Sequence, residues 1–178
     1  MEPRKIIKGK TIKEIRSQRQ KERSKENKSY LYCRKCGAVF IDKVWKMIDK
    51  KEIPKIIKKT LCPACQMIQN KNYEGEIKIE FLKEIDEESK REIENIVKNI
   101  SEIDYTYNVL SQLAEFKKFK NYWEIFTTNN QLAKRIAQKI QKILSKKILK
   151  KHPSINLQLN IQNVTEKIPK TKIKIVFK

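Results

Sequence analysis

Histidine and glycine are almost missing from this 178-residue sequence, which holds one His and three Gly. With only Gly9, Gly37 and Gly75, no phosphate-cradling loop of the GxGxxG or GxxxxGK[ST] kind can be written. The lone His152 stands beside Pro153, where a helix-end cap or an exposed loop is the expected role. No Ser/His/Asp or Cys/His grouping carries a local signature of nucleophilic catalysis. Asp86-Glu87-Glu88 resembles paired catalytic carboxylates, but an acidic first helical turn accounts for it better. The expectation is a protein that is not an enzyme, with no small-molecule substrate.

Long apolar runs are also lacking. None approaches the ~18 residues of a membrane span, and no signal-peptide core follows Met1, so a cytoplasmic protein with no membrane partner is expected. Acidic residues are scarce: 21 Asp and Glu against 42 Lys and Arg leave a formal +21. A surplus of that size calls for a polyanion, because a basic surface gains affinity by releasing counterions from phosphates. A solvated lysine-rich surface is the alternative.

The surplus is unevenly placed. Residues 1–29 form a basic arm with too few aliphatics to bury much, and Lys10–Lys28 within it reads as a solvent-facing helix or a disordered arm that orders on its partner. Residues 30–72 contain all four cysteines and are again strongly basic. Acids outnumber bases across 73–105, and 106–178 return to a large positive excess.

The cysteines carry the sharpest signal. Cys33-x2-Cys36 and Cys62-x2-Cys65 lie 25 residues apart, a spacing compatible with a β-hairpin between two knuckles. Two such turns supply four thiolates to one tetrahedral ion, so one structural Zn2+ is expected, with iron or an Fe–S cluster as the alternative. Gly37 suits the first turn because it tolerates positive φ, and Pro63 stiffens the second. A redox role needs a CxxC at the start of a helix in a thioredoxin-like βαβ unit, and neither pair is expected there. A disulfide framework needs an oxidising compartment. Zn2+ with four thiolates carries −2, lowering the formal +21 to +19. Arg34, Lys35 and Lys71 lie close in sequence to that centre and either screen it or face a phosphate.

Residues 73–178 read as an α+β unit. Glu76–Phe81 alternates as a half-buried strand, and Asp86 opens a helix with Ile93, Ile96, Val97 and Ile100 on one face. Tyr122–Phe126 is a second strand, with Trp123 and Phe126 in opposite phases. Thr127-Thr-Asn-Asn130 offers caps for a helix over Gln131–Lys150, which the His152-Pro153 breaker ends. Ile155–Ile161 and Lys172–Phe177 form a hairpin. The fold class is thus α+β: a four-cysteine zinc ribbon, then a small β-α-β-α-β-β sandwich with two helices on one sheet face.

The last helix carries a basic stripe, Arg135, Lys139, Lys142, Lys146 and Lys150, beside Lys134, and no acid occurs between Glu124 and Glu166. Together with Arg16, Arg19 and Arg23 of the arm and Arg34 and Lys35 of the first knuckle, Lys134, Arg135, Lys139, Lys142 and Lys146 are the candidate RNA contacts. Tyr30, Tyr32, Phe40 and Trp45 surround the first knuckle as core plugs or, less favoured, as base-stacking platforms.

The succession Tyr32-Cys-Arg-Lys-Cys-Gly-Ala-Val-Phe40, Val44-Trp, Leu61-Cys-Pro-Ala-Cys-Gln66 and Tyr73-Glu-Gly-Glu-Ile-Lys-Ile79 resembles the zinc ribbon of the large-subunit export adaptors, the nonsense-mediated-decay-three family. It is similar above all to their short bacterial and archaeal relatives. Trp123–Ala137 is similar to the strand, polar turn and basic helix of that family's α/β domain. The long members carry further cysteine clusters, a barrel-like domain and export signals, none of which occurs here. The resemblance, over residues 30–178, implies a ribosome-associated factor binding rRNA of the large subunit, in subunit maturation or in ribosome dormancy. A zinc-ribbon adaptor acting on DNA or a transcription complex is the alternative.

Overall fold

A computed structural model describes residues 30–53, 58–82, 85–151, 157–165 and 169–177. The arm, with Arg16, Arg19 and Arg23, and His152 lie outside the described residues.

The first sheet is built from three-residue strands: β1 (Leu31–Cys33), β2 (Val39–Ile41), β3 (Val44–Lys46) and β4 (Lys58–Thr60), in the order β3-β2-β1-β4. β2 and β3 form the hairpin expected between the knuckles, turning at Asp42 and Lys43, both at positive φ. Phe40 and Trp45 face each other across it, ring centres 5.4 Å apart, a cross-strand pair of the kind that stabilises small sheets. A short helix, α1 (Pro63–Gln69), follows β4.

The second sheet contains β5 (Gly75–Phe81), β6 (Leu113–Lys118), β7 (Tyr122–Thr127), β8 (Leu157–Thr165) and β9 (Pro169–Phe177), ordered β6-β7-β5-β9-β8. The last strand, β9, lies parallel to β5, and β8 folds back on it as an antiparallel hairpin. Two helices, α2 (Glu87–Tyr107) and α3 (Asn130–Lys151), cover one face. Strand alternation decides which residues meet them. Ile77, Ile79, Trp123, Ile125, Ile173, Ile175 and Phe177 pack against Ile93, Ile96 and Val97 of α2 and Leu132, Ile136 and Ile140 of α3.

The expected α+β class, the ribbon and the two covering helices are therefore present, with one strand added. β6 was not anticipated because Leu113-Ala-Glu-Phe-Lys-Lys lacks β-branched residues and strict alternation. It is an edge strand with a register shift between Leu113 and Glu115.

Local chemistry explains the helix starts. The Asp86 carboxylate accepts the Ser89 N–H at 2.7 Å and the Ser89 hydroxyl at 3.0 Å, and Glu87 and Glu88 complement the dipole. At α3, Asn129 Oδ1 accepts the Gln131 N–H, while Asn130 Oδ1 accepts the Thr171 N–H and ties the helix to β9. Gly75 sits where β5 passes beneath α3. A Cβ there would lie 2.2 Å from Thr127 Oγ1 and 2.6 Å from Ala133 Cβ.

Candidate metal centre

Cys33 ends β1, and the chain turns back at Gly37, whose φ of +79° is the left-handed conformation that glycine adopts without strain. Cys33 N–H donates to Ala38 O at 2.8 Å and Gly37 N–H to Cys33 O at 2.9 Å, closing the first knuckle. The second knuckle differs from its expected tight turn. Cys62 is the N-cap of α1, with Pro63 at the first helical position, so this CxxC does open a helix. It follows a strand of the ribbon sheet and faces the other two cysteines, so the context is not that of a redox pair.

All four sulfurs lie within 4.8 Å of one another, and Cys36 Sγ is 3.6 Å from Cys62 Sγ. Metal–sulfur bonds of about 2.3 Å in a tetrahedron put sulfurs about 3.8 Å apart, so this cluster matches a single four-thiolate ion. None of the four is in a disulfide. Cys33, Cys62 and Cys65 are buried and Cys36 is partly so. Backbone amides point inward, Cys62 N–H to Cys33 Sγ at 3.2 Å and Cys65 N–H to Cys62 Sγ at 3.4 Å.

Without an ion the thiols are poorly matched to their surroundings. Burial pushes the Cys62 thiol up to about 11 and Cys65 higher still. Burial acts the same way on Cys33, but donation from the backbone of Cys36, Cys62 and Lys35 outweighs it and brings that thiol down to about 6. A bound dication removes the conflict by favouring all four thiolates.

Sequence patterns gave no sign of what covers the centre. Val109 joins the buried cluster of Cys33, Ala38, Cys62, Ala64 and Cys65, with Trp45, Leu61, Tyr105 and Leu110 packed around it. Tyr105, Val109 and Leu110 come from the C-terminal end of α2 and the loop beyond. The metal site thus also joins the ribbon to the α/β unit. The Tyr105 hydroxyl donates to Met47 Sδ at 3.6 Å, and burial, then the Cys36 sulfur, hold its ionisation above the ordinary tyrosine range. No periodicity marked Tyr105, since helical spacing places it beside the buried face and not on it. Trp45 acts as a core plug, as expected.

The proposed RNA contacts fall into several environments. Arg34 and Lys35 are exposed on the knuckle turn. Lys139 and Lys142 are exposed on α3 and line a groove floored by Ile100 and Ile103. Lys134 is half-buried, and the Lys146 side chain lies outside the described set. Arg135 is committed within the protein, its guanidinium against the Asp104 carboxylate of α2. The neutralising acid that α3 lacks lies on the other helix, 31 residues upstream. On the sheet face away from the helices three lysines are paired as well, Lys78 and Lys174 with Glu80, and Lys117 with Glu115, while Lys172 on that face is exposed and in no ion pair among the described residues. By contrast Arg34, Lys35, Lys43, Lys46, Lys58 and Lys59 are exposed on the ribbon, and none forms an ion pair among the described residues.

No helix of the described residues is long and apolar enough to cross a membrane. No protein-family model matches the chain, and no curated protein matches it.

Proposed function

We propose that this chain is a non-catalytic, zinc-stapled RNA-binding protein of the cytosol that docks on the rRNA of the large ribosomal subunit. The observation that carries the reading is the sorting of its cations. Lys78, Lys117 and Lys174 of the five-stranded sheet are spent on neighbouring carboxylates, although Lys172 on the same face is not. Those of the ribbon and of the outer face of α3 are exposed, and on the ribbon they surround a rigid knuckle. Phosphate binding uses cations of that second kind, held on a stiff support and free of internal partners.

Zinc is the ion that suits the centre. Four thiolates leave no open position, which favours structure over catalysis, and sulfurs this close leave no room for the bridging sulfides of a cluster. The large subunit as target rests on the resemblance of the Cys33–Cys65 ribbon and the Tyr73 segment to the export-adaptor family. Its task there is subunit maturation or the occupation of idle ribosomes.

Sedimentation of cell extract through sucrose gradients at low salt tests this. The protein is expected with large subunits or whole ribosomes, leaving them as salt rises. A protein that stays at the top of the gradient while binding duplex DNA would sink the proposal.

A further inference from the structure

Residues 152–165 hold no Asp, Glu, Lys or Arg, the longest such run in a chain that is 35% charged. Within it lies β8, nine residues long and at one edge of the five-stranded sheet. Among the described residues no strand pairs with its outer edge. The remaining sheet edges carry the usual protection. β6 has a register shift and ends in Lys117-Lys118, while β3 and β4 are three residues long and contain lysine. β8 has no charge, no proline and no bulge, and its pairing with β9 is regular from Leu157 to Thr165.

Its sequence is self-complementary in one register. Around Leu159 the types run Asn156-Leu-Gln-Leu-Asn-Ile-Gln162, amides and aliphatics in strict alternation. Leu159 packs against the helix-side core, Ile161 is 39% exposed, and Gln158, Asn160 and Gln162 are exposed. An antiparallel copy centred on Leu159 brings Leu159 opposite Leu159, Gln158 opposite Asn160, and Leu157 opposite Ile161. From Leu157 to Ile161 amides then meet amides and aliphatics meet aliphatics, while Asn163 and Val164 of the same strand fall opposite Ile155 and Ser154.

We propose that β8 is a self-recognition edge through which two copies of this chain join into one ten-stranded sheet about a twofold axis at Leu159. Such an isologous contact uses the same strand twice, so it needs the self-matching register found here. The missing charge is what permits it in so basic a protein. The nearest lysines, Lys172 and Lys174, lie one strand inside the edge, beside Gln162 and Asn160. Across the joint they are three strand spacings from their counterparts, about 14 Å, beyond the roughly 8 Å Debye length at physiological salt. An unrelated extended peptide would not require this symmetry. The inference does not depend on the RNA-binding reading.

Light scattering on the nuclease-treated, zinc-loaded full chain tests it. A mass of twice 21.3 kDa is expected, against 21.3 kDa for the Gln158→Lys/Asn160→Lys variant, whose circular dichroism and zinc content should be unchanged. Combining Gln158→Glu with Asn160→Lys puts opposite charges on the same cross-strand pairs and should restore the dimer. Hydrogen exchange on the wild type gives a second readout that needs no variant. Amides on the outer edge of β8 should gain protection as protein concentration rises. A wild type monomeric at every concentration overturns the proposal, whether other residues of the chain cover the edge or another protein's peptide takes it. So does a dimer that survives the two lysines, or β8 exchange that ignores concentration.

Discussion

Arg135 of α3 reaches across to Asp104 of α2, its guanidinium 2.5 Å from a carboxylate that is only 3% exposed. Ser111 completes the arrangement by donating its hydroxyl to the same Asp104 oxygen at 3.0 Å. A buried carboxylate stripped of its cation costs far more than an exposed pair is worth. Arg135→Ala should therefore destabilise the fold by about 2 kcal/mol, on the low side for a buried pair because the arginine itself is half-exposed. Lys139→Ala, one turn along, should change the stability read from urea unfolding by less than about 0.5 kcal/mol. Equal midpoints for the two variants would show that the Asp104 contact is incidental.

Gly75 should resist any side chain. The clash is with Thr127 Oγ1 and with Ala133 Cβ on the covering helix, and Thr127 is itself held by a hydrogen bond to Asn129 O at 2.9 Å. Neither neighbour is the far end of a flexible chain, so α3 must lift from the sheet. Gly75→Ala is expected to cost about 3 kcal/mol, read as a fall in thermal midpoint of roughly 10 °C. A midpoint within about two or three degrees of wild type, on the same scale, would mean that helix and strand separate easily.

Much of this was legible in the sequence, and the failures have physical causes. The cysteine spacing, the alternation in β5 and the inward face of α2 are local patterns, and each appears where its period puts it. α1 was missed although Pro63 after a capping Cys62 is a helix-start signal, because the knuckle reading treated Pro63 only as a stiffener. β6 was missed because an edge strand need not alternate strictly. Asp104 and Tyr105 were invisible for another reason. Their partners, Arg135 and the metal cluster, are far away in sequence, and nothing local distinguishes them from the rest of an acidic helix. The candidate RNA residues were chosen by periodicity, which cannot tell a cation already paired within the fold from one left exposed.

Metal removal should act on one sheet before the other. The ribbon's buried cluster is built around the cysteines, whereas the five-stranded sheet has its own aliphatic core. Chelation, or Cys62→Ser/Cys65→Ser, should release one equivalent of zinc and unfold the ribbon, because the energy of binding is energy of folding. Fluorescence from Trp45 should shift to that of a solvated indole while buried Trp123 keeps its emission, a comparison best made in Trp45→Phe and Trp123→Phe backgrounds. Full metal content in the double-serine variant would refute the four-cysteine assignment.

Acid should weaken the open face of the sheet. Glu80 accepts from Lys174 at 2.8 Å, and this contact, with a smaller contribution from Lys78, outweighs burial and holds its carboxyl below the ordinary 4.5. A carboxylate with a lowered folded-state value stabilises the fold fully above its unfolded value and loses that contribution as pH falls through the folded one. Wild-type stability should thus fall more steeply below about pH 4.5 than that of Glu80→Gln. Parallel urea midpoints from about pH 5 to pH 3 would show that the pair is solvated and idle.

The salt dependence of RNA binding separates cations that meet phosphate from those that do not. Removing one phosphate-binding cation lowers the slope of log K against log salt by about 0.7 to 0.9. Arg34→Gln/Lys35→Gln/Lys59→Gln removes three exposed cations from the ribbon and should lower the slope by roughly 2 to 3 for rRNA. Lys139→Gln/Lys142→Gln should lower it by roughly a further 1 to 2 on the same scale. Lys174→Gln is the control, since that lysine already serves Glu80, and its slope should match wild type. The fold should survive in every case, because none of these side chains is buried. If Lys174→Gln changed the slope as much as the ribbon variant, RNA would lie across the open sheet face, and the sorting of paired from exposed cations would no longer locate the interface. An unchanged slope in both the ribbon and α3 variants would leave those lysines as a solvated surface and remove the basis for an RNA partner.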